Sequence, residues 1–197
     1  DDVPAAAAML GRAFVDYPLL VHALPDAARR QQEAAFFAQY DLYYGIRYGE
    51  VYATSTRMEG VAVWVPSEHL PMTTGRILGA VPWRVIAGFG RRVGPRLAGP
   101  GRYIDARHEA LAPYRHWFLA LLGVAPESQR QGHPGALLLP ALKKLDEVGL
   151  PCYLETMDER NVGRYEHFGF KVLEKSSVPG TSLTSWAMLR GDPPATK

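Results

Sequence analysis

A chain of 197 residues, 47% hydrophobic and 21% charged, is long enough to bury about 70% of its unfolded surface in one domain, so neither a disulfide nor a structural metal is required. Its 22 basic and 20 acidic residues balance too evenly to argue for a nucleic-acid partner, and a single cysteine, Cys152, excludes an intrachain bridge and fits a reducing, cytoplasmic compartment. The longest uncharged runs, such as His116 to Pro126, fall well short of the roughly 20 residues a membrane-spanning helix needs.

The opening Asp1-Asp2-Val3-Pro4 has no signal-peptide pattern and reads as the entry to a helix, with or without an upstream strand. Asp2 is placed to cap that helix, with Pro4 in the first turn and the alanines carrying it to about Phe14. Asp16-Tyr17-Pro18 ends it, since the residue before a proline is pushed out of helical geometry. A second helix is expected over 27–44, carrying Phe36, Phe37, Tyr40, Leu42 and Tyr43, with Gly45 and Gly49 as breaks. Val51 to Ser55 and Val61 to Val65 read as an antiparallel pair turned at Glu59-Gly60. From Pro66 to Pro113 glycine and proline are frequent, and only helical pieces over 76–91 and 105–111 emerge. The arginines here (Arg84, Arg91, Arg92, Arg96, Arg102, Arg107) read as a solvated face; the sharper alternative is a rim for an anionic ligand.

Beyond His116 the pattern sharpens. Trp117 to Val124 is an apolar run of strand length, and Pro126 to His133 is a polar turn. Pro134 starts a helix to about Val148, with Leu138, Leu142 and Leu145 on one face and Gly149 as its stop. Pro140 should remove one backbone hydrogen bond and bend that helix. Pro151 to Glu155 is a short strand. Asn161 reads as the cap of a helix carrying Arg164, Tyr165 and Phe168 and ended at Gly169, after which Phe170 to Glu174 and Ser182 to Leu189 close a sheet.

A strand, a short loop and a helix in succession build an anion site, because the first helical turn leaves N–H groups without partners and the helix dipole adds positive charge there. Gly132, Gly135 and Ala136 are small enough to let a diphosphate approach the main chain. The run Val124…Gln129-Arg130-Gln131-Gly132-His133-Pro134 resembles the coenzyme A motif of the GNAT acetyltransferases, Gln/Arg-x-x-Gly-x-Gly/Ala. Leu154-Glu155-Thr156 and Asn161…Tyr165-Glu166-His167-Phe168-Gly169-Phe170 resemble the second half of that family's core. Ala13 to Pro18 and Ser185 to Met188 carry the nearest resemblance, to puromycin N-acetyltransferase-like enzymes.

The resemblance implies a mixed α/β fold with a splayed, mostly antiparallel sheet flanked by helices. It implies one acetyltransferase domain over 1–197, with 1–113 building the acceptor site, first strands and an elaborated connection, and 114–190 the acetyl-coenzyme A core. It implies direct transfer of acetyl to the primary amine of a small molecule by an acyltransferase, an antibiotic-like amine being one candidate. Cofactor contacts are expected from Leu122, Gly123, Val124, Gln129, Arg130, Gln131, Gly132, His133, Gly135, Ala136, Asn161 and Arg164. Tyr165 stands where the family keeps the tyrosine that protonates the leaving thiolate, Glu155 is the first choice of base, and Tyr17 relays a proton, lines the pocket or anchors its turn. No metal, nucleic acid or membrane is called for, and the chain is a monomer or a homodimer. One departure bears on activity: Pro134 stands where the family has glycine or alanine and has no N–H to offer. A coenzyme A sensor without turnover, and a protein or peptide N-acetyltransferase, are the alternatives.

Overall fold

Alternating apolar residues organise strands β1 (Glu50–Ala53), β2 (Gly60–Pro66), β3 (Trp117–Val124), β4 (Cys152–Thr156), β5 (Lys171–Ser177) and β6 (Thr184–Arg190) into one sheet. This is a computed structural model, and it describes residues 2–193; Asp1 and 194–197 of the expected 1–197 span lie outside the described residues, as does the side chain of Arg92. The strand order is β1-β2-β3-β4-β6-β5, antiparallel throughout except for β3 and β4. Those two run parallel, which requires a long crossover, and α7 (His133–Glu147) supplies it.

The remaining helices are α1 (Val3–Ala13), α2 (Pro18–Ala23), α3 (Ala27–Tyr48), α4 (Thr74–Ala80), α5 (Trp83–Arg92), α6 (Gly94–Leu111) and α8 (Glu159–His167). Val61, Val63 and Val65 point to one face of the sheet, where Leu10 of α1 and Leu42 of α3 bury them. Ala62 and Trp64 point to the other, where Leu138, Leu142 and Leu145 of α7 pack. Each such leucine contributes about 1.5–3 kcal/mol of transfer free energy. Among the described residues no helix is long and apolar enough to cross a membrane.

Several boundaries differ from expectation for identifiable reasons. Asp2 occupies the N-cap of α1 but has helical dihedrals and makes no capping bond. α3 runs through Gly45 to Tyr48, because Gly45 is there for contact: a Cβ at that position would collide with the Val63 side chain. Gly49, the actual C-cap, lies against the Trp64 carbonyl. The helix expected over 76–91 is two helices broken at Val81-Pro82, and α6 extends well upstream of 105, through Pro100. Arg84, Arg91, Arg96 and Arg102 are exposed there, as a solvated face requires, while Arg107 pairs with Glu174. α8 is capped by Asp158, whose carboxylate accepts from the Arg160 N–H at 3.0 Å; Asn161 sits inside its first turn.

Two irregularities shape the middle of the sheet. β3 and β4 pair only at Trp117↔Cys152 and Phe118↔Tyr153, after which they diverge. Just beyond that point Val63 faces Leu121 and Trp64 faces Leu119, so Ala120 is an extra residue, a β-bulge that re-aims the strand. The result is a wedge-shaped gap between the C-terminal halves of two central strands.

Candidate functional site

The gap opens toward the turn joining β3 to α7. Arg130 and Gly132 both have positive φ there, 64° and 84°, which bends the chain sharply before the helix begins. The first intrahelical bond runs from the Ala136 N–H to the Gly132 carbonyl at 3.2 Å. The N–H groups of Gln131, Gly132, His133 and Gly135 therefore meet no acceptor among the described residues. A Cβ on Gly132 would touch nothing within 4 Å, and one on Gly135 would meet only Leu139 at 3.8 Å and Phe168 at 3.9 Å. The Nε2 atom of His133 is enclosed yet has no partner. Free donors, room beside them and an orphaned ring nitrogen fit a diphosphate at the start of α7. Pro134, in the first turn, removes one donor from the set. Pro134→Gly should therefore tighten binding of a diphosphate-bearing ligand by about fivefold, the worth of one added hydrogen bond, in a calorimetric titration.

A cavity of about 550 Å³ adjoins this turn, lined by Met9 and Arg12 of α1, Met58 and Glu59 of the β1–β2 turn, and Ser128 and Gln131. It lies at the end of the sheet, beside the turn rather than inside the β3–β4 gap. Arg12 reaches across to Glu127 at 3.1 Å.

The expected catalytic residues converge on the end of β4, from its two faces. Cys152 and Leu154 point to the α7 side, and half-buried Tyr165 packs there, edge-on to Phe170 at 5.9 Å. Burial, with smaller contributions from Tyr17 and Cys152, raises the Tyr165 phenol and keeps it protonated. Its hydroxyl has no hydrogen-bond partner among the described residues. Tyr153 and Glu155 point to the opposite side. Glu155 Oε1 accepts from the Tyr153 hydroxyl at 2.6 Å, while Oε2 is enclosed and unpartnered. Burial first, and the nearby Asp105 and Glu174 carboxyls next, push the Glu155 carboxyl up to about 8; the Tyr153 bond opposes this.

Tyr17 stands between these groups. Its hydroxyl accepts from the Met157 N–H at 2.8 Å, and its ring meets Phe14 edge-on at 5.7 Å. This ties the α1–α2 corner to the end of β4. Asn161 lies on α8 with its amide 3.5 Å from Thr156 Oγ1 and its carbonyl accepting from Arg164 at 3.0 Å. Leu122, Gly123 and Val124 line the β3 side of the gap's open end, and Gln129 and Arg130 lead into the turn.

Three features escaped the sequence reading. Tyr153 holds Glu155, a relation legible from their i, i+2 spacing on one strand. His108 stacks on Tyr153 with ring centroids 4.2 Å apart, and its Nε2 lies 2.8 Å from that of His116. Burial, and then His116, push His108 down to about 3, so this pair adds no positive charge that would lower Glu155. Asp41, finally, is a carboxylate on the apolar stripe of α3, pushed up to about 8 by burial.

No family model matches the chain. An uncharacterized N-acetyltransferase of Schizosaccharomyces pombe is 41% identical over 54 residues, which span 27% of this chain and only 22% of the yeast protein's length. Among solved structures, a Corynebacterium glutamicum protein described as histone acetyltransferase HPA2 and related acetyltransferase superposes with a TM-score of 0.64 at 18% identity, over 99% of this chain and 94% of that one. The Drosophila melanogaster polyamine N-acetyltransferase, which forms N-acetylagmatine, superposes with a TM-score of 0.56 at 12% identity, over 97% and 95% of the two chains. At these identities the likeness establishes the fold. The chain has the fold of the GNAT acetyltransferases, as its motifs implied.

Proposed function

We propose that this chain is a single-domain N-acetyltransferase that transfers acetyl from acetyl-coenzyme A to a primary amine of a small molecule. One observation carries the reading. A wedge between two parallel strands ends in a turn with free N–H donors, and Glu155 and Tyr165 flank it from opposite faces.

Acetyl-coenzyme A, when bound, supplies the acetyl group as an activated thioester. The turn from Gln129 to Ala136 holds its diphosphate through main-chain N–H groups, with the α7 dipole behind them. Asn161 and Arg164 on α8, and Leu122 to Val124 on the edge of β3 that β4 leaves uncovered, take the arm of the molecule from either side of the wedge. Bulged β3 also presents the N–H that faces the developing oxyanion. On the other face Glu155 Oε2 takes the proton that an ammonium must lose before it can attack, and a carboxyl near 8 is matched to that task. Tyr165 Oη donates a proton to the departing sulfur. Tyr17, held on the Met157 N–H, fixes the acceptor wall against β4.

Thiol release from acetyl-coenzyme A, followed with a panel of amines, tests the reading; release with at least one amine is the expected result. A coenzyme A sensor without turnover is the rival, and Pro134 is the residue that favours it. Tight coenzyme A binding with no release from any amine would select the sensor. Tyr165→Phe should lower kcat by about 10- to 100-fold with coenzyme A affinity retained, and unchanged turnover would remove Tyr165 from the mechanism.

A further inference from the structure

Tyr153 and Glu155 lie two residues apart on β4, so both side chains leave the same face of the sheet. Tyr153 sits on the last rung at which β3 and β4 still pair, opposite Phe118. Glu155 lies beyond it, where β3 has turned away and Ala187 of β6 is its ladder partner. The carboxyl thus stands at the open part of the wedge, and its support comes from the closed part. The Tyr153 hydroxyl donates to Oε1 at 2.6 Å, and Oε2 is enclosed without a partner.

Tyr153 is itself held from α6. The His108 and Tyr153 rings stack with 18° between their planes and centroids 4.2 Å apart, and His108 meets Phe118 at 4.8 Å. The 2.8 Å contact between the Nε2 atoms of His108 and His116 has one sense. His116 Nδ1 lies 2.6 Å from the Tyr114 carbonyl, which can only accept, so Nδ1 carries a hydrogen. Burial pushes His116 down and keeps it neutral, so its Nε2 accepts and His108 Nε2 donates. The main chain of His116 is fixed in turn: its N–H donates to Ser67 Oγ at 3.1 Å, and its carbonyl accepts from the Ser67 N–H at 2.9 Å. Contacts therefore run without a break from Ser67 through two neutral histidines and a phenol to one oxygen of Glu155.

We infer that Tyr153 and His108 are positioning residues for Glu155: the Tyr153 hydroxyl, steadied by the His108 ring, occupies Oε1 and leaves Oε2 as the one oxygen that exchanges a proton with the acceptor amine. The inference rests on the acetyltransferase reading and adds how its base is aimed. Burial, and next the Glu155 charge, raise the Tyr153 phenol, so it stays protonated and serves Glu155 only as a donor. When an ammonium N–H bond breaks, the electron pair stays on nitrogen and the proton settles on Oε2. A donor to a carboxylate favours its charged form, so the Tyr153 bond also brings ionisation to lower pH than burial alone would set. The other groups facing Glu155 are Asp105 from α6, Glu174 from β5 with Arg107 paired to it, and Tyr17 from the α1–α2 corner. Tyr153→Phe leaves all of these in place and removes a single hydroxyl.

Carbon-13 spectra of the full chain, labelled at the glutamate carboxyls, follow the titration directly; the Glu155 signal is the one that Glu155→Gln removes. In Tyr153→Phe its midpoint should rise by about one pH unit or more, the loss of a hydrogen bond to a charged group, and the pH step in kcat/KM for thiol release should move with it. His108→Leu, which removes the ring face, should move both part of the way, and His108→Phe, which restores a ring, should return them. An unmoved midpoint in Tyr153→Phe would overturn the inference, even if that variant is slower or melts earlier. A midpoint unmoved in His108→Leu would overturn the part given to His108. The spectra need no turnover, so the two levels separate. Thiol release with the same pH step in the unaltered chain and in Tyr153→Phe keeps the acetyltransferase reading and sinks this one. A shifted midpoint with no release from any amine upholds the hold of Tyr153 on Oε1 and sinks the acetyltransferase reading.

Discussion

Glu155→Gln is expected to lower kcat by about 10²- to 10⁴-fold, the range for loss of a positioned general base, with coenzyme A affinity nearly unchanged. The pH dependence distinguishes this from a loss of shape. Burial raises the Glu155 carboxyl from 4.5 to about 8, so it keeps its proton in the folded protein across that interval. A base acts only when ionised, so kcat/KM should climb as pH rises through about 8 and then level off. The glutamine variant should lack that step. Stability moves the opposite way. Between 4.5 and 8 the folded state binds a proton at Glu155 that the unfolded state has released, so stability is fullest below 4.5 and falls as pH rises through 8. Glutamine removes that loss. At pH 9 the variant should melt above the unaltered chain in a calorimetric scan while remaining far less active. Joint loss of activity and melting temperature would make Glu155 a structural acceptor for Tyr153 instead.

The parts of the fold legible in the sequence are those where one local signal acts alone. The apolar run Trp117 to Val124 is a strand with those bounds, and Leu138, Leu142 and Leu145 form the buried face of α7 as their spacing predicts. Gly149 and Gly169 end their helices with positive φ, 64° and 86°. Competing signals misled. Asp158 and Asn161 are both good caps; the earlier one prevails, with Glu159 following it into the positive end of the dipole. Gly99, Pro100 and Gly101 argue locally against a helix, yet α6 runs through them, with Pro100 and His108 buried against the rest of the protein. Tertiary burial outweighs propensity there.

The candidate site divides along the same line. The turn at Gln129 to Ala136 is contiguous in sequence and was readable as a donor array. The bulge at Ala120 was not, because it arises from the register between β2 and β3 rather than from any residue type. Asp41 carried a signal that went unread: a lone acid among Ala34, Ala38, Leu42 and Gly45, at positions that share the buried face of one helix.

Gly132→Val bears on the turn from which the whole assignment proceeds. Gly132 has φ 84°, a left-handed conformation in which a β-branched residue is strained by about 1–3 kcal/mol. The protein itself would not clash with the new side chain, since no atom lies within 4 Å of a Cβ there. The empty space is the approach to the N–H groups of Gln131, His133 and Gly135, and valine fills it. The Kd for coenzyme A should therefore rise by more than about a hundredfold, from strain that turns donors away and from bulk that keeps the anion off. Pantetheine, which lacks the diphosphate, should bind both proteins equally. This pairing makes the result specific, because a general loosening of α7 would weaken both ligands together. If valine leaves coenzyme A affinity intact, the diphosphate is held somewhere other than at the head of α7. Glu155 and Tyr165 would then flank a wedge with no thioester in it.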